Sequence, residues 1–245
     1  MAGPDLVIRV AFDARWRVGT GTARSNAVDS ETWLDGSGHV TVPASHLKRR
    51  LRAEAERLAA LRGWTGLCAG RLAAARSDPD VGEPVAMANL CGPDHERPCV
   101  TCRLFGAPRV EPGWRFGSAR LQHDRLDADP LTAAVAAAAE RRVASHNRVD
   151  PWTRRVGEDL LFSLETARAG AELTAVVTRL DPAENDPAAE REIALLVGAV
   201  GLLDTLGGRR RRGYGRCRAW VDGAPLGRVH DDWVRTLLAL PREER

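Results

Sequence analysis

The sequence predicts an α+β domain built on a ferredoxin-like, RRM-like βαββαβ core, an antiparallel sheet with two helices on one face. Three observations carry this expectation. Apolar residues recur at strand spacing in some segments and at helical spacing in others. Once two proline- or alanine-rich stretches are set aside, these segments run strand, helix, strand, strand, helix, strand. The chain of 245 residues is long enough to bury a real core as one domain.

Asp5 to Ala14 is the first strand, with Leu6, Ile8, Val10 and Phe12 on alternate positions. Gly19-Thr20-Gly21-Thr22 through Gly38 is polar and punctuated by glycine, hence a loop. A helix is expected from about Pro43 to Arg62. Pro43 and Ser45 mark its start, and Leu47, Leu51, Ala55, Leu58 and Leu61 share one side. Residues 77–116 carry six prolines and a cysteine cluster, an irregular insertion that needs something other than a core to hold it.

Ser118 to Arg125 is a second strand, residues 130–146 an alanine-rich helix, and Asn147 to Gly157 a polar loop. Leu160–Thr166 and Glu172–Leu180 are strands about a turn at Gly170. Pro187 to Leu206 is a helix with Ile193, Leu196, Val197, Val200 and Leu203 on one face, which Gly207-Gly208 would close with a left-handed cap. Tyr214 to Val221 is the last strand, and residues 230–240 form a terminal helix. The expected organisation is one domain: core 1–76, 117–129 and 160–222, a metal-bearing insertion 77–116, a second insertion 130–159, and a C-terminal helical segment 223–245.

Composition excludes several classes. Hydrophobic residues at 44% and charged residues at 28% exclude wholesale disorder. No apolar run reaches the ~18 residues that cross a bilayer, so no membrane partner is expected. Met-Ala-Gly-Pro-Asp lacks the pattern of a secretory signal, and five cysteines, three of them clustered, suit a reduced compartment. The expected location is the cytoplasm. Lys48 is the only lysine among 36 basic residues. Arginine suits phosphate forks and base stacking, although a biased codon composition explains the same excess.

Cys91-x3-His95-x3-Cys99-x2-Cys102 gathers four metal-type ligands within twelve residues. The set suits a closed, structural zinc site, with Cys68 able to stand in for His95. No helix clearly begins after Cys99 to lower a thiol pKa, which disfavours a redox pair.

Gly207-Gly208-Arg209-Arg210-Arg211-Arg212-Gly213-Tyr214-Gly215 offers backbone N–H groups, four guanidinium groups and an aromatic face to a phosphate chain. Without a following Gly-Lys-Ser/Thr it favours nucleic acid over a nucleotide. Ser45, Lys48, Arg49 and Arg52 at the start of the first helix offer a second phosphate path. Asp29 and Asp35 lie in the loop before that helix, where a carboxylate could hold Mg²⁺ or orient a ribose 2′-OH, and Asp13 is a further acid at a strand end.

Together these segments resemble the RAMP superfamily, and within it the repeated backbone subunit of type III CRISPR RNA-guided interference complexes. The resemblance runs through Thr41 to Arg52, with Ala44 and His46 departing from the family's small residues. It continues through Arg148-Val149-Asp150-Pro151-Trp152-Thr153 with Leu161-Phe162 and Glu165, Leu206 to Arg216, and Cys91 to Gly106.

The resemblance implies subunits that stack along a guide RNA, holding its phosphates through the helix and the glycine loop. Arg148 joins the RNA-binding set through the segment before a thumb-like hairpin. Asn26-Ala27-Val28-Asp29-Ser30 resembles the segment that carries the family's catalytic aspartate, so Asp29 is the expected catalytic residue, acting with Mg²⁺ or another divalent cation on paired target RNA. The implied partners are guide and target RNA, other subunits of a type III effector, and copies of the chain itself or related RAMP subunits. Alternatives are a RAMP subunit that binds RNA without cutting, a metal-independent guide-RNA-processing enzyme using Tyr214 or His46, and a zinc-stabilised protein-interaction module.

Overall fold

The computed structural model describes residues 5–21, 28–64, 67–69, 91, 98–121, 140–150, 152–180, 187–223 and 228–240. Strand β1 (Asp5–Phe12) buries Leu6, Ile8, Val10 and Phe12 on one face, as its alternation requires. It lies between β7 (Glu172–Arg179) and β8 (Cys217–Asp222), antiparallel to both. Beyond β7 come β4 (Ala119–Leu121) and the two-residue β2 (Thr41–Val42), so the sheet runs β2-β4-β7-β1-β8. Strand β3 (Trp114–Phe116) also pairs with β7.

Helix α1 (Ala44–Leu61) and helix α3 (Pro187–Gly201) pack on each other over this sheet. Leu47, Leu51, Ala55 and Ala59 of α1 join Ile193, Leu196, Val197 and Val200 of α3 in one core with the inner faces of the strands. Gly198 permits their close approach, since a Cβ there would meet Leu58 Cδ2 at 2.7 Å and Leu237 Cδ2 of α4 (His230–Ala239) at 2.8 Å. Among the described residues no helix is long and apolar enough to cross a membrane.

The structure corrects several boundaries. Residues 98–116 are not a detached insertion. Helix α2 (Val100–Phe105) buries Val100, Thr101, Cys102, Leu104 and Phe105 in the main core, and Trp114 Nε1 donates to buried Glu192 of α3 at 2.8 Å. That helix begins immediately after Cys99, where the sequence suggested none.

Residues 141–146 are strand rather than helix. Strand β5 (Arg141–Val149) and strand β6 (Val156–Ala167) form an antiparallel hairpin, so residues 160–166, expected in the main sheet, pair with β5 instead. Strand β6 pairs with β5 and not with β7, because Gly170 turns the chain back onto β1 instead: its N–H donates to the Phe12 carbonyl. The helical run from Pro187 stops at Gly201, so Gly207 closes no helix.

Candidate nucleic-acid interface and metal site

The glycine loop is built by backbone contact with the segment after β1. The N–H of Gly208 donates to the Arg17 carbonyl at 2.8 Å, and that of Gly215 to the Arg15 carbonyl at 2.8 Å. Gly207 has φ +107° and lies so close that a Cβ would sit 2.4 Å from the Arg17 oxygen. Only glycine accepts that approach. Between these anchors Arg209 is left-handed at φ 56°, and Arg210–Arg212 form a single exposed 3₁₀ turn ending in Gly213. Arg210, Arg211, Arg212 and Gly213 therefore face solvent together, while Gly207 and Gly215 are buried against the segment after β1.

The start of α1 lies beside this loop. Pro43 occupies the N-cap position without a side-chain cap, and Ser118 Oγ accepts from the first helical N–H, that of Ala44, at 3.1 Å. Ser45 is left exposed, with Arg49 one turn on. His46, half-buried in the first turn, is pushed down to about 4 by burial and then by Arg49, Arg50 and Arg210. Arg210 belongs to the glycine loop, so the two basic ledges share one electrostatic field.

The middle of the β5–β6 hairpin closes the other side. His146 of β5 stacks on Phe162 of β6 with centroids 5.6 Å apart, and Arg209 lies 4.8 Å over the Phe162 ring. The Tyr214 hydroxyl is 3.2 Å from His146 Nε2. At the far end Asp150 Oδ1 accepts from the N–H groups of Trp152 and Thr153, folding a tight tip on which Trp152 is 91% exposed.

Asp29 lies alongside the hairpin. Its exposed carboxylate accepts from Ser163 N–H at 2.6 Å and Ser163 Oγ–H at 2.8 Å, and these donors hold it below the usual carboxylate range. Arg17 links this segment to the glycine loop: its carbonyl holds Gly208 while its guanidinium donates to Ser30 Oγ at 2.6 Å and to the Glu31 carbonyl.

Four thiols, Cys68, Cys91, Cys99 and Cys102, gather under the helices with all sulfurs within 4.8 Å of one another. Cys68 and Cys102 are 3.2 Å apart and Cys68 and Cys99 3.7 Å. Tetrahedral zinc with Zn–S of ~2.3 Å spaces its sulfurs by about 3.8 Å, so this buried set could hold a metal ion such as zinc. Four converging thiols exceed what a redox pair uses.

Residues 12–218 match the sequence profile of the RAMP superfamily. The chain belongs to the RAMP superfamily. No curated protein matches it. Among solved structures, a chain of the type III-B Cmr-beta complex, imaged by cryo-electron microscopy with cognate target RNA, aligns at a TM-score of 0.56 and 10% identity, over 95% of this chain and 99% of that one. The apo state of type III-B Cmr-beta gives 0.52 and 11%, over 89% and 97%.

Within this RAMP chain the residues singled out from the sequence fall unevenly. Ser45, Arg49, Gly207, Gly208, Arg209, Arg210, Arg211, Arg212, Gly213 and Tyr214 cluster as described. Lys48 is turned toward the Phe116 ring, 5.8 Å from its centroid.

Arg52 does not join the basic surface. It is taken up by Glu56 Oε1 at 2.7 Å, the Gly106 carbonyl at 2.6 Å and Cys102 Sγ at 3.7 Å, so it braces the thiol cluster. Arg148 lies in β5 at a register shift, its side chain outside the described residues, as is all of His95. Nothing in the sequence singles out Arg17, His146, Phe162 as a stacking residue, or Ser163. Arg17 follows a strand end and Ser163 sits mid-strand, so neither carries a local motif.

Proposed function

We propose that this RAMP chain is a guide-RNA-binding backbone subunit of a type III CRISPR effector complex that cleaves complementary target RNA with a divalent cation. The strand order β8-β1-β7-β4, with α1 and α3 as crossovers, is our reason for regarding the core as ferredoxin-like. One observation carries the functional reading: Arg209 lies over Phe162 and Tyr214 meets His146, so the exposed turn of Arg210, Arg211 and Arg212 stands against the hairpin on a basic surface that could follow one phosphate backbone. Contacts of this kind read shape and charge, leaving sequence to base pairing.

Asp29 suits the cutting step as an anchor. Its lowered pKa makes it a weak base, while its exposed carboxylate, held through Oδ2 by Ser163, keeps Oδ1 as a hard oxygen donor for a cation. Asp29 would hold a divalent cation, which when bound would neutralise charge on the scissile phosphate; the ribose 2′-OH would attack phosphorus, losing its proton to solvent, and the 5′ oxygen would leave and take a proton from solvent, giving a 2′,3′-cyclic phosphate and a 5′-OH. The hairpin's exposed Trp152 and basic middle would hold the paired strands in a kinked path that brings the 2′-OH into line. Cys68, Cys91, Cys99 and Cys102 would hold zinc as a purely structural ion, since four protein ligands leave no open position.

The test is the ribonucleoprotein assembled with Asp29→Asn. Target RNA should bind as before and Mg²⁺-dependent cleavage should disappear, whereas unchanged cutting at every site refutes the assignment. The Tyr214–His146 contact favours a second reading, metal-independent cleavage of precursor RNA. Processing that persists in excess EDTA and stops in Tyr214→Phe would establish it instead.

A further inference from the structure

Asp29 is held by a residue far along the chain. Its carboxylate Oδ2 takes both donors of Ser163, and the Ser163 hydroxyl oxygen accepts the Asp29 N–H in return at 3.1 Å. The pattern is a reciprocal cap between residues 134 positions apart. Ser30 and Leu164 form a parallel bridge, and the Glu165 N–H donates to the Ser30 carbonyl at 2.9 Å. Buried Glu165 then accepts from Thr32 N–H at 3.0 Å and pairs with Arg141 of β5 at 2.9 Å. Residues 29–32 are therefore tied to β6 by one bridge and by side-chain bonds, and the hairpin fixes where the carboxylate stands.

We infer that Ser163 is a positioning residue for target cleavage, fixing Asp29 through Oδ2 while leaving Oδ1 to meet a divalent cation. The inference rests on the reading of Asp29 as the cleaving residue. It also makes the hairpin more than an RNA wedge: whatever seats β5–β6 on the RNA duplex seats the acid with it.

The experiment uses the assembled ribonucleoprotein with Mg²⁺ and a complementary target. Ser163→Ala removes the hydroxyl and keeps the N–H donor, so single-turnover cleavage should slow roughly tenfold, within the range that an ångström of misplacement costs. Target affinity should not change. Ser163→Thr restores the hydroxyl on a β-branched side chain that suits a strand, and should restore the rate. The acid limb of the Ser163→Ala rate profile should move to higher pH, because the missing hydrogen bond favoured the charged carboxylate. If the alanine variant fails to assemble, Ser163→Cys, nearly isosteric with a weak donor, should show the same slowing. Wild-type cleavage by Ser163→Ala beside a dead Asp29→Asn overturns the positioning role alone. So does a threonine variant as slow as alanine. Full cleavage by Asp29→Asn overturns the functional reading beneath it.

Discussion

Gly213 and Gly215 stand two residues apart in the basic loop with nearly the same positive φ, +80° and +77°, yet substitution should hurt them very differently. A Cβ on Gly213 meets nothing within 4 Å, so alanine there incurs only the left-handed penalty, about 1–2 kcal/mol. A Cβ on Gly215 would lie 2.1 Å from the Leu206 carbonyl oxygen. Relieving that overlap breaks the bonds from Gly215 N–H to Arg15 and from Leu206 N–H to Gly215, both 2.8 Å, each worth about 1 kcal/mol. Gly215→Ala should therefore cost about 3–4 kcal/mol, a large share of the roughly 5–15 kcal/mol that holds a domain together. At about 2–4 °C per kcal/mol for a chain of this size, melting should fall by about 10 °C, against about 4 °C for Gly213→Ala. Parallel thermal and urea unfolding of the two variants measures the difference. Equal shifts would refute the argument, because they would mean that nothing pins the loop to Leu206 and Arg15.

Other outcomes follow from the same structure. Cys68→Ser should lower metal content by elemental analysis and lower the melting temperature, whereas His95→Ala should retain both, since the four clustered ligands are all cysteines. Replacing Arg210, Arg211 and Arg212 with alanine should flatten the slope of log affinity for guide RNA against log salt by about 0.7 for each phosphate no longer neutralised, while Arg52→Ala should leave that slope unchanged. His46, at about 4 in the fold against 6.5 ordinarily, resists a proton that the unfolded chain accepts. Stability should therefore fall as pH drops from about 6.5 to 4 and hold above it, and His46→Gln should flatten this dependence in urea titrations at graded pH.

Much of the fold was legible locally. The alternation of Leu6, Ile8, Val10 and Phe12 and the helical stripes of 44–61 and 187–201 describe surfaces that must be buried, and burial followed except at Leu61, which ends its helix 72% exposed. Residues 141–146 misled because an alanine-rich stretch upstream suggests helix, while Arg-Arg-Val-Ala-Ser-His carries too little apolar pattern to announce a strand whose partner starts at Val156. The α2 segment misled for a related reason: its prolines hid a short helix that tertiary packing buries.

What the chain alone determined was the inventory: a basic glycine loop, a basic helix start, clustered thiols and an acid in a glycine-flanked loop. Tertiary structure decided their use. It put Arg52 on a thiol instead of at the basic surface, completed the thiol cluster with Cys68, and tied Asp29 to Ser163 across 134 residues. Composition and spacing act through neighbours in sequence, whereas hydrogen bonds and charge act through neighbours in space, and only packing converts one into the other.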